Sequence, residues 1–456
     1  MDVAPIEVLG DVILNTGALM VIDFGLLGDW SHFEPPHIEL SDPELTLMAN
    51  SCVDLEITGP DASAVAAQID LAAAKGTYVF DMPPDGVDMV RARVAEICER
   101  EGLSAAAETI GRLPHGERAR RLLAQHPDGV EVPFHGPWAA AMDGLPIGLP
   151  MRVLGRRMPE DSPDAGRWQS VWLEVKPGVT VHRSLPSGHV LVDAARLMLC
   201  DLDLLAHWNH EDPTDGLFDV VLWGRDVVAV AELVGAVEMP SRGDGIYGWL
   251  DVAADRATSA WRELSALREA GESKFAFDVE PHSDHHRLLV ATRATATESG
   301  TIDLGGSRGL GFFTSWGDGA FPVFRDLDDS GALVRVRIEL GCDEIVARSR
   351  RMDELWFGEL SHSAFVSARV ARDGEPVRYM YREHAERTGD SGWCLLAVDE
   401  SDDYLDDVAN VVILPLREIV GREPALETHL GLPAPVAFER QPDGTFVKVP
   451  MPARRD

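Results

Sequence analysis

The sequence predicts a multidomain α+β protein with mostly antiparallel sheets and flanking helices. Its 456 residues exceed what one ordinary core accommodates and suggest about two to four domains. The first third carries amphipathic helices with clear start and stop signals, and short β-rich runs prevail from residue 169 onward. Strands and helices do not alternate with the regularity of a doubly wound nucleotide-binding fold.

Two helices are predicted in the first third of the chain. Asp61 caps a helix over residues 62–75 that stops at Gly76, and Asp85 caps a second helix that stops at Gly102. The second helix carries apolar side chains at helical spacing, which predict a stripe facing the core: Val87, Val90, Val94, Ile97 and Cys98.

The middle of the chain combines further helices with several short strands. Helices are predicted over residues 226–237 and 254–270. Arg335 and Arg337 alternate with apolar residues, as expected of a strand with one solvated face. Strands are predicted at residues 171–175, 218–223, 275–279, 288–292 and 333–340.

Two stretches have the composition of linkers. Residues 158–166 are rich in Pro, Asp and Gly, and residues 342–354 are densely charged without apolar periodicity. They predict three modules. These are an N-terminal α+β module of unknown role (1–165), a β-rich α+β middle module (166–350) and a C-terminal domain (351–456).

Two parts of the sequence resemble each other. Residues 16–23 (TGALMVID) precede residues 26–32 (LLGDWSH), and residues 187–193 (SGHVLVD) precede residues 204–210 (LLAHWNH) after a longer gap. Either one module is duplicated, or two turn-plus-strand segments are alike by chance.

The net charge of the chain indicates which classes of partner it can bind. With 76 acidic and 41 basic side chains, the formal charge is −35, which repels nucleic acid and anionic membranes. A basic protein is the favoured partner, because opposite fields speed encounter; the alternative is a surface charge that only aids solubility. No run reaches the roughly 18 to 20 apolar residues that cross a bilayer.

The cysteines and the N-terminus indicate the compartment. Five scattered cysteines without Cys-x-x-Cys spacing argue against disulfides and structural zinc. Residues 1–10 lack the basic start and apolar core of a secretion signal. We therefore expect a cytoplasmic protein, and the preference for arginine over lysine indicates a GC-rich bacterial genome. The sequence does not indicate the oligomeric state.

The C-terminal region carries a series of motifs in a fixed order. They are residues 365–367 (FVS), 379–383 (YMYRE), 390–393 (DSGW), 399–404 (DESDDY), 410–414 (NVVIL), Pro424 and 437–440 (AFER). In order and spacing this region resembles the immunity protein 33-like domain family, although Val398 stands where that family favours glycine. The resemblance implies a protein that neutralises a bacterial toxin by binding it, without turnover.

The middle region resembles a second bacterial family, of unknown function. The segments that carry the resemblance are residues 185–188 (LPSG), 190–193 (VLVD), 246–251 (IYGWLD) and 317–324 (GDGAFPVF). Members of that family have a Gly-Asp-Gly-x-Tyr-Pro-Val segment before a final strand.

Acidic residues of the C-terminal region are the candidates for partner binding. The run 399–407 is not an EF-hand loop, because its sixth residue is Tyr404 where that loop needs glycine. It is predicted to be an exposed loop that binds a protein partner such as a basic toxin domain. The candidate residues are Arg382, Glu383, Asp399, Glu400, Asp402, Asp403, Asp406 and Asp407.

A histidine-rich segment is the candidate for a metal site. His282, Asp284, His285 and His286 offer zinc ligands. A metal-dependent hydrolase centred on His282, Asp284 and His285 is the alternative to a binding protein. Neighbouring side chains on an extended chain point to opposite faces, so a solvent-exposed turn between two strands is favoured and no metal is assigned. A third alternative is a multidomain scaffold.

No residue is assigned a catalytic role, and no cofactor is expected. The glycine-rich segment 305–311 lacks the Gly-Lys-Ser/Thr ending of a phosphate-binding loop. Cys394 lies in an apolar run near carboxylates, where a thiol keeps its proton. The sequence has no Gly-x-Ser-x-Gly, His-Glu-x-x-His or Walker motif. A non-catalytic, protein-binding bacterial protein is therefore the leading interpretation.

Overall fold

The chain divides into two compact units, Met1–Cys342 and Asp343–Asp456. The computed structural model describes residues 5–71, 73–134, 138–271, 273–356, 358–385, 387, 389–397, 400–405 and 407–451. Both units combine helices with mostly antiparallel sheets, which confirms the predicted multidomain α+β class. In the described part of the chain, no helix has the length and apolar character needed to span a membrane.

The first half of unit 1 contains ten strands and four helices among the described residues. A 3₁₀ helix, Phe24–Asp29, follows the second strand. In chain order the elements are β1 (Ile6–Val12), β2 (Leu19–Ile22), α1 (Pro43–Asn50), β3 (Val53–Thr58), α2 (Ala62–Ala66), β4 (Ala74–Lys75), β5 (Tyr78–Met82), α3 (Val87–Glu101), β6 (Ala106–Gly111), α4 (His115–Gln125), β7 (Val130–Pro133), β8 (Trp138–Met142), β9 (Met151–Arg157) and β10 (Trp168–Glu174).

The second half of unit 1 contains another ten strands in its described part. A 3₁₀ helix, Leu202–His207, again follows the second of these strands. The elements are β11 (Arg183–Val192), β12 (Arg196–Asp201), β13 (Leu217–Trp223), α5 (Val227–Val234), β14 (Val237–Glu238), β15 (Tyr247–Ala253), α6 (Ala254–Ala270), β16 (Ala276–Pro281), α7 (Asp284–Arg293), β17 (Ser299–Leu304), β18 (Ser307–Phe313), β19 (Gly319–Leu327) and β20 (Leu333–Glu339).

The sheets of unit 1 show that its two halves are copies of one fold. Two six-stranded sheets have the orders β1-β9-β10-β20-β19-β11 and β17-β18-β12-β2-β8-β7. Each strand of the first half has a counterpart in the second half whose number is larger by ten, so that β1 corresponds to β11. When every strand is replaced by its counterpart, each six-stranded sheet keeps the same order, read from its other end. The same replacement converts the four-stranded sheet β4-β5-β3-β6 into the second one, β14-β15-β13-β16. Unit 1 is therefore an internal duplication, and its six-stranded sheets contain strands from both sides of residue 165.

The sequence echo comes from this duplication. Residues 18–32 and 196–210 align without a gap, since each segment comprises a central strand, an aspartate and a 3₁₀ helix. Asp23 accepts a hydrogen bond from the backbone N–H of Gly25 at 2.8 Å. Asp201 does the same with Asp203 at 2.9 Å.

The similarity seen in sequence pairs β2 with the wrong strand of the second copy. It aligns residues 16–23 with residues 187–193, which lie in β11 and just after it. The topological counterpart of β11 is β1, whereas β2 corresponds to β12. The error arose because β11 and β12 are both apolar runs that end next to an aspartate.

The extent of helix α3 was predicted correctly, whereas its cap and two other elements were not. Its predicted stop, Gly102, has a φ of +68°, and its predicted stripe is buried except for Cys98, which is half-buried. The predicted cap, Asp85, lies in a 3₁₀ turn, and Gly86 occupies the N-cap position. The helix predicted over residues 62–75 ends at Ala66, and β4 occupies its last two positions. The strand predicted at residues 288–292 lies in α7, where Leu288, Leu289 and Thr292 are buried at helical spacing.

The other strands and helices predicted for the middle of the chain are confirmed, with ends that differ by a few residues. The predicted strands correspond to β10, β13, β16 and β20, and the predicted helices correspond to α5 and α6. Burial alternates along β20 as predicted, but the face that carries Arg335 and Arg337 is half-buried instead of solvated, because both side chains pair with the buried Asp326.

Unit 2 is a six-stranded sheet with helices. Residues predicted to be a linker form most of its first helix, because apolar residues in that stretch do recur at helical spacing. The elements are α8 (Asp343–Trp356), β21 (Ser363–Ser367), α9 (Ala368–Ala371), β22 (Tyr379–Arg382), β23 (Asp390–Leu396), α10 (Asp402–Leu405), β24 (Val411–Pro415), α11 (Leu416–Arg422), α12 (Glu427–Leu430), β25 (Val436–Arg440) and β26 (Phe446–Val449).

One face of the unit 2 sheet forms the core of the unit. The strand order is β24-β21-β23-β22-β25-β26, and β21 and β23 are parallel while the other neighbours are antiparallel. Side chains of alternate residues pack with the helices into one cluster, which includes Val366, Met380, Trp393, Leu395 and Phe438.

Candidate functional site

The face of the unit 2 sheet opposite its core is exposed and largely apolar. Phe365 of β21 pairs with Ile413 of β24 and with Cys394 of β23, so these side chains share one face. Phe365 is 41% exposed and Ile413 is 53% exposed. We define the open face as Ile413, Phe365, Cys394, Leu396, Tyr379, Tyr381, Glu439 and Val447, all of which are half-buried or exposed. Glu439 pairs with both Tyr379 and Val447 and therefore places a carboxylate among these mostly apolar side chains.

A small cavity opens at one end of the open face. It has a volume of about 120 Å³ and lies beside Phe365 and Ile413. Arg387 and Asp390 also line it. The cavity could accept a side chain of a partner next to the exposed aromatic ring.

Carboxylates surround the open face. Burial, with smaller contributions from Glu383 and Asp390, raises the pKa of Cys394 to about 11. Burial and Glu439 raise the pKa of Tyr379. These carboxylates therefore lie close enough to the open face to raise the pKa values of its side chains.

Arg382 lies at the end of β22 and contacts the backbone of its own unit. Its Nε donates to the carbonyl of Ser391 at 2.9 Å. Its Nη1 donates to the carbonyls of Leu430 and Leu432 at 3.2 and 2.7 Å, and its guanidinium lies 5.8 Å from the ring of Trp393. These contacts fasten β22 to β23 and to the end of α12.

The predicted acidic residues have different environments. Glu383 is exposed beside the open face. Burial raises the pKa of Glu400, and Asp407 caps a 3₁₀ turn by accepting from the N–H of Ala409 at 2.9 Å. Two others, Asp402 and Asp403, lie in α10. The remaining two, Asp399 and Asp406, lie outside the described residues.

The histidine-rich segment of unit 1 is buried and begins a helix. The sequence predicted a solvent-exposed turn between two strands, yet His282 is 9% exposed and His286 is 8% exposed. Ser283 caps α7 by accepting from the backbone N–H of His286 at 3.3 Å. The turn prediction is therefore wrong, because the Ser-Asp pair starts a helix instead of a loop.

His282 and His286 converge on a carboxylate from a distant strand. The Nε2 of His282 lies 3.1 Å from Asp219 of β13, and its Nδ1 lies 3.0 Å from Asp215. The Nε2 of His286 lies 3.2 Å from Asp219. Their ligand atoms lie within 4.8 Å of one another, and we call these three residues, Asp219, His282 and His286, the Asp-His-His cluster.

Asp284 and His285 make other contacts. Asp284 accepts from the backbone N–H of Asn209 at 3.0 Å and from Arg287 at 2.8 Å. The ring of His285 stacks on His210 at 4.5 Å, and burial lowers the pKa of His285 to about 3. Of the four potential ligands that the sequence offers in this segment, His282 and His286 belong to the cluster, and of the three on which the hydrolase was centred only His282 does. The sequence feature that could have identified this pair of ligands is their separation by four residues.

A larger cavity lies beside the Asp-His-His cluster. Its volume is about 800 Å³, and Asp215 and Asp251 line it together with the three cluster residues. Arg242 also lines it; this residue pairs with Asp219 and lies 3.0 Å from the Nε2 of His286 and 3.0 Å from Glu280. Arg287 and Arg293 line the cavity as well, so the site combines two imidazoles, several carboxylates and three guanidinium groups.

Comparison with known proteins identifies the C-terminal region. Residues 364–450 match the immunity protein Imm33 domain, which confirms the predicted resemblance. The match covers about a fifth of the chain and contains all six strands of the unit 2 sheet, including the open face. No curated protein and no solved structure matches the chain. The resemblance of the middle region to a second family stays a prediction.

Proposed function

We propose that this chain is an immunity-type protein that binds and neutralises a toxin, and that the open face of unit 2 contacts this partner. The observation that carries the proposal is the position of the Imm33 match on a sheet with one packed and one exposed apolar face. Immunity of this kind is a binding function, so the proposal needs no catalytic residue.

The apolar character of the open face supports a protein partner. The solvated face of an antiparallel sheet is normally polar, whereas here Phe365 and Ile413 lie side by side and exposed. Contiguous exposed apolar side chains mark interaction sites. Aromatic residues next to a pocket are also the type of residue that contributes most binding energy at interfaces.

The charge around the open face supports a basic partner. Unit 2 has 22 acidic and 14 basic side chains, and Glu383, Asp390 and Glu439 lie on or near the open face. A basic toxin domain would be attracted to these carboxylates, and its association would slow as salt rises. The acidic run 399–407 belongs to the proposed surface on sequence grounds. Arg382 would support this surface from behind through its contacts with backbone carbonyls.

The test is the binding of the full-length chain to purified basic toxin domains encoded beside its gene. We expect Phe365→Asp and Ile413→Asp each to weaken binding by about tenfold to a hundredfold, as loss of a central apolar contact does. Leu233→Asp is the matched control, because Leu233 is an apolar residue that is 68% exposed and lies in α5 of unit 1, outside the proposed surface.

Two results would contradict the proposal. One is that the wild-type chain neither binds these domains nor protects cells that express them. The other is that Leu233→Asp weakens binding as much as the two open-face variants, since the open face would then have no special role.

A further inference from the structure

The duplication allows the Asp-His-His cluster to be compared with its counterpart in the first half of unit 1. There, Asp54 of β3 accepts a hydrogen bond from the backbone N–H of Asp81 at 2.9 Å. Arg118 of α4 bridges both carboxylates, and its side chain is completely buried. This arrangement is a closed ion-pair network.

The second half keeps the backbone arrangement and changes the basic groups. Asp219 of β13 accepts from the backbone N–H of Asp251 at 3.0 Å. Asp81 and Asp251 both have positive φ, at 49° and 53°, which confirms that they are equivalent. Where the first half has one buried guanidinium from α4, the second half presents His282 and His286 to the carboxylate and opens a cavity beside them.

We propose that the Asp-His-His cluster binds a divalent first-row transition metal ion such as zinc. The ligands are a carboxylate oxygen of Asp219, the Nε2 of His282 and the Nε2 of His286. Two imidazoles and one carboxylate are a ligand set that suits zinc and iron. The two nitrogens lie 3.1 and 3.2 Å from the oxygens of Asp219, so only small shifts would bring all three atoms to bonding distance of one ion.

Neighbouring groups orient these ligands in the way that metal sites require. The carboxylate of Asp215, 3.0 Å from the Nδ1 of His282, holds that ring with its Nε2 toward the ion. The backbone N–H of Asp251 orients Asp219. The cavity of about 800 Å³ leaves room for water or a small ligand at the remaining coordination position, as in open zinc sites.

Arg242 competes with the metal ion. Its guanidinium contacts both Asp219 and His286, so a bound cation would displace it. Gly243 and Gly245 follow it with positive φ, and Glu280 lies 3.0 Å from it as a partner that does not belong to the cluster. We therefore infer that binding of the ion and pairing of Arg242 with Asp219 exclude each other.

The experiment is calorimetric titration of the chelator-treated full-length chain with zinc chloride, followed by elemental analysis. We expect one equivalent of zinc to bind. His286→Gln should weaken binding at least tenfold, whereas His285→Gln should leave it within about twofold, because His285 stacks on His210 outside the cluster. Arg242→Gln should tighten binding by removing the competing cation.

Three results would overturn the proposal: no zinc binding by the wild-type chain, equal losses for His285→Gln and His286→Gln, or weaker binding by Arg242→Gln. Thermal unfolding of each variant without metal shows whether it is folded. If His286→Gln does not fold, the tightening expected for Arg242→Gln still decides the matter. Failure here leaves the proposed role of unit 2 intact, because the cluster belongs to unit 1.

Discussion

Replacing Arg118 by methionine tests how the first copy of the duplicated fold is stabilised. Arg118 donates from Nε and Nη2 to Asp54 at 3.1 and 2.9 Å, and from Nη1 and Nη2 to Asp81 at 2.7 and 2.9 Å. The side chains of Arg118 and Asp54 are both fully buried. Methionine fills much of the same volume but removes the charge, so Asp54 loses its buried cation.

The expected loss of stability is about 3 kcal/mol. Removing one partner of a buried ion pair costs about 3–5 kcal/mol, because the other charge remains buried without compensation. We expect the loss of stability for this variant to lie at the lower end of that range. Burial already raises the pKa of Asp54, so the carboxyl can take up a proton in the variant, and it keeps its bonds from the backbone N–H groups of Asp81 and Leu113.

Urea unfolding of the full-length chain measures this loss, and hydrogen exchange of peptides from β3 and α4 assigns it to unit 1. The matched control is Arg121→Met in the same helix, since Arg121 pairs with Glu117 near the surface and such a pair contributes at most about 1 kcal/mol. Equal losses for the two variants would refute the reasoning. In that case Arg118 would contribute no more than a surface residue.

Two further predictions concern titrating groups. Burial and Arg120 lower the pKa of His32 to about 4, below the unfolded value of about 6.5; stability should therefore fall by up to about 3 kcal/mol as pH drops from 6.5 to 4. Unfolding of His32→Gln should show this part of the pH slope removed, and an unchanged slope would contradict the assignment. At pH 8, Cys394 with a pKa of about 11 should be thiolate in about one molecule in a thousand. Mass spectrometry should then find its alkylation at least a hundredfold slower in the folded chain than in urea, and equal rates would contradict it.

The parts of the fold that local patterns specify were predictable from the sequence. Helix α3 has an apolar stripe at helical spacing and a glycine where a left-handed residue ends it, and β20 alternates buried and half-buried residues. The predictions were wrong for segments whose pattern fits more than one type of element. Residues 288–292 form a short apolar run that suits a strand as well as a buried helix. The helix forms because Ser283 caps its first turn.

The candidate sites depend on long-range pairing, which the sequence alone could not supply. Asp219 precedes His282 by 63 residues, and only the pairing of β13 with β16 brings the two together. The open face likewise requires the register of β24 against β21, although the aromatic alternation at Tyr379 and Tyr381 was visible. The acidic run 399–407 is conspicuous in the sequence, whereas nothing in the sequence shows that the apolar residues of the open face lie next to one another.

The two copies of unit 1 meet the same physical requirement in different ways. A carboxylate buried at the start of β3 or β13 needs a positive partner, because an isolated buried charge is costly. Arg118 satisfies Asp54 with a fully buried cation that keeps its charge. The second copy satisfies Asp219 with Arg242 and two imidazoles beside a cavity. Imidazole can give up its proton and bind a metal. The second copy can therefore exchange its positive partner, Arg242, for a metal ion, whereas the first copy has only the permanent cation Arg118.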